Sequence, residues 1–135
     1  MRKELVLPLA AAFAVAAFAV APSADAHTLL PREAANSAWL AASDWGDARE
    51  SRYGDVMDVD VAREDCHRRS RHVRSCDAIV DFEKEVRRRE CDYYSGIGLE
   101  CYWETDYEST NCSLTVRVRL TGYSTRERVR KDWCV

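Results

Sequence analysis

Between His27 and Asp47, apolar residues recur at spacings of three and four: Ala34, Ala35, Ala38, Trp39, Ala41, Ala42 and Trp45. That is the period of one helix face. Pro31 suits the first helical turn, where a missing N–H costs nothing, and Glu33 lies near the positive end of the helix. Gly46 follows the stripe and can stop it. The Ala-rich face, with Trp39 and Trp45 as its two large anchors, suits close packing on a sheet. From Val56 the period becomes two. Val59 and Val61 alternate with Asp58 and Asp60, which predicts a half-buried strand that continues with a bend toward Cys66.

Arg68 to Arg71 holds no apolar residue and is the expected turn. His72 to Phe82 is a second strand, with Cys76, Ala78, Val80 and Phe82 on one side. Lys84 to Glu90 reads as a charged connector or frayed edge strand. Cys91 to Thr110 reads as an aromatic loop, with Gly96 and Gly98 as turn formers and a short strand near Cys101 to Glu104. Cys112 to Leu120 alternates most clearly: Cys112, Leu114, Val116, Val118 and Leu120 against Ser113, Thr115, Arg117 and Arg119. Gly122 marks a turn and Val129 to Val135 a closing strand.

One amphipathic N-terminal helix followed by about four antiparallel strands predicts an α+β domain, with the helix laid across one sheet face. This is a cystatin-like arrangement at the level of fold alone. The chain contains no Gln, so the Gln-x-Val-x-Gly inhibitory loop of cystatins is absent.

The first 26 residues have a different character. Arg2 and Lys3 give a positive start, Leu5 to Val20 is almost wholly apolar, and Ala24-Asp25-Ala26 supplies small residues at the exit. This is the pattern of a secretory signal peptide cut after Ala26. Its Ala-rich apolar run is too short and too weakly hydrophobic for a membrane span. No Cys follows the small residues to accept a lipid. The expected organisation is a signal peptide over 1–26 and one secreted domain over 27–135, with no membrane association after cleavage.

Removing residues 1–26 deletes Arg2, Lys3, Glu4 and Asp25, so the net charge stays at −3. Nucleic acid calls for a basic surface and is therefore not the expected partner. Mature basic residues are Arg apart from Lys84 and Lys131, and Arg, Ala, Val and Asp are abundant, which points to a high-GC bacterial source. All six cysteines (Cys66, Cys76, Cys91, Cys101, Cys112 and Cys134) fall in the mature part, and an even count in a small exported chain predicts three disulfides. A domain of this size has a thin stability margin, and each bridge can add roughly 3 kcal/mol. Sequence alone leaves the connectivity open. Strand geometry prefers sequential pairing: 66–76 across the first hairpin, 112–134 across the last, and 91–101 by remainder.

The signal peptide, the Ala-rich helix, the Cys66–Cys76 hairpin and the Val116-Arg117-Val118-Arg119 strand together resemble small exported proteins of actinobacteria that have no assigned activity. The resemblance implies a secreted domain and carries no chemistry.

Candidate chemistry is sparse. Cys66, His67, His72 and Cys76 lie close together, but their spacing is not that of a zinc site, and exported thiols are normally oxidised. A disulfide with two surface histidines is the better reading, and no metal or other cofactor is expected. Asp58 and Asp60 share a strand face about 7 Å apart; the solvated side of a half-buried strand explains them. No Gly-x-Ser-x-Gly elbow exists. Arg87-Arg88-Arg89, with Arg68, Arg69, Arg71 and Arg74, forms a candidate basic patch, which neighbouring Glu83, Glu85, Glu90 and Asp92 neutralise. Tyr93, Tyr94, Tyr102 and Tyr107, with Trp103, give the segment the composition of a recognition surface, and Trp103 is the member assigned to the core.

No catalytic residue is assigned. The expectation is a secreted, monomeric, non-catalytic binding or inhibitor-like module, using the 91–107 loop with its four tyrosines and the exposed sheet face against an unknown extracellular protein or envelope component. The alternatives are a small secreted hydrolase built on His67 or His72, and a structural component of the cell envelope.

Overall fold

The computed structural model describes residues 27–135; the expected signal peptide lies outside the described residues. The chain opens with an extended segment, 27–30, in which Leu29 is buried and its N–H donates to the Arg71 carbonyl (3.2 Å). Helix α1 (Pro31–Asp47) follows. Its stop is prolonged by a single turn, α2 (Glu50–Tyr53). Then come β1 (Asp55–Asp60), a short 3-10 turn, β2 (Cys66–Ser70), β3 (Val73–Tyr94), β4 (Gly98–Thr121) and β5 (Ser124–Cys134). All pairings are antiparallel, in the order β1-β3-β4-β5. Strand β2 pairs with residues 73–76 of β3 and β1 with residues 79–83, so the two short strands share one edge of β3.

This corrects the expected fold class. The described residues are mostly antiparallel sheet, 62% strand against 22% helix, with five strands rather than about four. Nor does the helix begin the described chain. Proline disfavours helical geometry in the residue before it, so Leu30 stays extended (φ −77°, ψ 153°) and Leu29 can reach the β2–β3 turn. The Glu33 carboxylate accepts the Leu30 N–H (3.0 Å) and so satisfies a donor at the helix start. Strand β2 occupies what the sequence predicts as a turn. Only Cys66 of Cys-His-Arg-Arg-Ser is buried, so the pattern of a half-buried strand is missing.

The core lies between α1 and one face of the sheet. Ala34, Ala35, Ala38, Ala42 and Trp45 meet Ala78, Val80, Phe82, Leu114, Val116 and Val118. Alanine lets the helix backbone approach the strands closely, and at Gly46 an added Cβ would sit 3.0 Å from a Val56 methyl. Phe82 is clasped by Trp45 (6.2 Å between ring centroids) and Tyr53 (5.3 Å). Trp39 is no core anchor. Its ring is half exposed at the rim, and its Nε1–H donates to the Val59 carbonyl (2.9 Å).

Three disulfides, Cys66–Cys76, Cys91–Cys101 and Cys112–Cys134, each join residues directly opposite one another on paired strands. Among the described residues no helix is long and apolar enough to cross a membrane.

Candidate functional site: a projecting ribbon

Beyond Glu83, β3 has no partner other than β4; β1 ends there, and β5 with the terminal Val135 reaches only Asn111. The segments Lys84–Tyr94 and Gly98–Glu108 therefore leave the body as a two-stranded ribbon, about 35 Å long at roughly 3.3 Å per residue. The edge strand expected as one option over 84–90 and the short strand near 101–104 are there, but the connector and the aromatic loop are not: one unbroken hairpin occupies both segments. Its tip turns at Ser95-Gly96-Ile97, where the Ile97 N–H reaches the Tyr94 carbonyl (3.2 Å) and Gly96 takes φ 94°. Cys91–Cys101 clamps the ribbon near that tip.

Strand alternation gives the ribbon two unlike faces. The face continuous with the buried side of the sheet carries Glu90, Asp92, Glu100, Glu104, Asp106 and Glu108 against Lys84 and Arg88. Arg88 bridges Glu108 (2.6 Å) and Asp106 (3.7 Å). Tyr102 Oη donates to Asp92 Oδ2 (3.2 Å). That bond, then the Asp92 charge, raises the tyrosine above its usual 10.0, with small additions from desolvation, Glu90 and Glu104. The opposite face carries Tyr93, Leu99, Trp103, Tyr107, Arg87, Arg89 and the disulfide.

The four candidate tyrosines are thus divided. Tyr93 and Tyr107 share the second face, while Tyr94 and Tyr102 lie on the acidic one. Trp103, the member expected in the core, is 68% exposed, and Tyr93 is 76% exposed. With none of the described residues packed against the ribbon, no core among them receives these side chains. Register places Tyr93, Trp103 and Tyr107 in a line, four residues apart along the ribbon, or about 13 Å per step. They do not enclose a pocket. The missed signal was the symmetry of Cys91 and Cys101 about Gly96, which marks a hairpin whatever the polarity of its strands.

The remaining candidates stay apart. His67 is exposed, and neither it nor His72 has a carboxylate within bonding distance among the described residues. Asp58 and Asp60 stand opposite Asp81 and Ile79 on the uncovered sheet face. Among the described residues no three His, Cys, Asp or Glu side chains converge as metal ligands. Arg74 is spent internally, donating to the Leu29 and Cys66 carbonyls (2.9 and 3.1 Å). The expected basic patch is therefore dispersed: Arg88 faces the acidic side of the ribbon, and Arg87 and Arg89 face the aromatic side. No family model, curated protein or solved structure matches the chain.

Proposed function

We propose that the chain is an exported, non-catalytic binding module that grips a partner along the aromatic face of its ribbon. The observation that carries this reading is the line of Tyr93, Trp103 and Tyr107, fully outside the core on a disulfide-clamped ribbon. Exposed aromatics on a rigid backbone supply large contact area at low entropic cost. Leu99 and Ile97 extend the apolar strip to the tip (66% and 74% exposed). Export is supported by the three disulfides, which persist in oxidising compartments, and by the leader pattern at the N-terminus. An elongated strip without a cavity suits a protein or polymer surface rather than a small molecule.

The test uses a triple variant, Tyr93→Ser/Trp103→Ser/Tyr107→Ser, beside the native chain as bait in culture supernatant. The expected result is one or more proteins retained by the native chain and lost by the variant, at an unchanged melting temperature. A variant that fails to fold, or one that retains the same proteins, overturns the reading.

A further inference from the structure

None of the described residues covers the face of the sheet opposite α1, and its charges are segregated. Asp58, Asp60 and Asp81 occupy the β1 corner. At the far end, Arg117 of β4 stands directly opposite Arg128 of β5, and Arg119 opposite Arg126. All four are exposed. Of the four, Arg117 also lines a shallow groove of about 320 Å³, together with Arg69, Ser75, Asp77, Arg130 and Lys131. Among the described residues none of the four paired arginines has a carboxylate in an ion pair. Asp77, the nearest acid on this part of the face, accepts from the Thr115 hydroxyl (3.3 Å).

Like charges directly opposite on paired strands destabilise a sheet. Two such pairs side by side, without an ion pair among the described residues, are a cost that folding does not explain. An anion lying across them would relieve it. The array has a definite geometry. Neighbours across the strands are about 5 Å apart and neighbours along a strand about 6.6 Å. Two peptide residues contain six backbone bonds, so an extended chain with one anionic group every six bonds repeats at about the same 6.6 Å. A polyol phosphate with a three-carbon unit has that repeat. Guanidinium forks match phosphate oxygens. A nucleic acid strand shares the six-bond backbone but gains much of its affinity from bases stacked on aromatic rings. No ring stands among the four arginines: Trp133, opposite Ser113, and the exposed Tyr123 of the β4–β5 turn lie two rows beyond them at either end, and His67 lines the neighbouring groove.

We propose that Arg117, Arg119, Arg126 and Arg128 form a binding site for a linear polyol-phosphate chain, separate from the aromatic ribbon. The site goes beyond the binding reading of the ribbon and stands without it. The probe is a synthetic glycerol-phosphate dodecamer, titrated against the full mature chain at several salt concentrations. Four phosphate contacts predict that log K falls with log salt at a slope of about −3. Arg117→Thr/Arg128→Thr should weaken binding about 25-fold, at about fivefold per exposed arginine. The same variant should melt at the native temperature or above, because the repulsion is gone. Tyr93→Ser/Trp103→Ser/Tyr107→Ser should bind the dodecamer as the native chain does, which separates this site from the ribbon. The proposal is overturned by binding that survives the double threonine variant, by unfolding of that variant, or by tighter binding of a single-stranded oligonucleotide with the same number of phosphates.

Discussion

Replacing both cysteines of the ribbon clamp, Cys91→Ser/Cys101→Ser, should loosen the ribbon and leave the body intact. The bridge spans a separation of 10 residues, and closing such a loop restricts the open chain by about 2.7 kcal/mol at 25 °C. Ribbon opening should therefore become about a hundredfold more frequent. A two-stranded hairpin without a packed face is marginal by itself, so the clamp supplies much of the ribbon's order. The body keeps Cys66–Cys76 and Cys112–Cys134, and all of its buried residues lie outside 84–108. In the globally unfolded chain the lost cross-link adds the same entropy as in the native state with an open ribbon. The global cost is thus limited to the ribbon's own small folding energy. Hydrogen–deuterium exchange read by segment checks this. Amides within 84–108 should exchange about a hundredfold faster, while those of Cys76–Phe82 and Cys112–Val118 stay unchanged. If the body amides accelerate together with the ribbon, the two are one cooperative unit and the reasoning fails.

Two further outcomes follow from local geometry. Tyr102 is held neutral by its bond to Asp92; because its folded pKa is raised, the contact is present at neutral pH and below and is lost as pH rises through the folded pKa, so Tyr102 should ionise above the other exposed tyrosines in an ultraviolet titration, and Asp92→Asn should lower that pKa. Gly54→Ala should fold poorly, since φ is +98° and the new Cβ would lie 2.2 Å from the Glu83 carbonyl oxygen, whereas Gly122→Ala, at φ +63° with open space around it, should cost only about 1–2 kcal/mol in chemical denaturation.

Legibility in the sequence tracked burial. The α1 stripe and the Cys112–Leu120 alternation were readable because one side of each meets a core, and burial is what imposes the period. The 66–76 and 112–134 pairings were readable for a related reason, and 91–101 followed as the remainder. Each pair is placed symmetrically about its turn, and antiparallel register then sets the partners face to face. The ribbon was readable as strand only in pieces, as a frayed edge over 84–90 and a short strand near 101–104. Both of its faces are wet, so Lys84–Glu90 alternates polar with polar, and its aromatics imitate a core that is not there. Strand β2 failed similarly, since an edge held by backbone bonds to β3 and one buried cysteine leaves no apolar period. Trp39 and Trp103 show the limit of size as a guide: each is large enough for a core, and each is placed at a rim or on a ribbon.

The two proposed surfaces also differ in what they ask of the fold. The ribbon adds no buried residue to the core, and the opposed arginines work against the sheet that carries them. Both are tolerated because β3 and β4 are much longer than the body requires. Their central stretch, from Cys76 to Phe82 and Cys112 to Val116, is fixed by α1 and by the Cys66–Cys76 and Cys112–Cys134 disulfides. On one side of that stretch the strands run on as the ribbon; on the other they carry Arg117 and Arg119. Ser75, opposite Arg117, and Arg89, opposite Trp103, are 14 residues apart on β3, a separation of about 45 Å. At that distance the two surfaces share no contact, and perturbing one leaves the energetics of the other unchanged. If both proposals hold, a partner on the ribbon and a polyanion on the sheet would be held at once, with the long β3–β4 pair as the spacer between them.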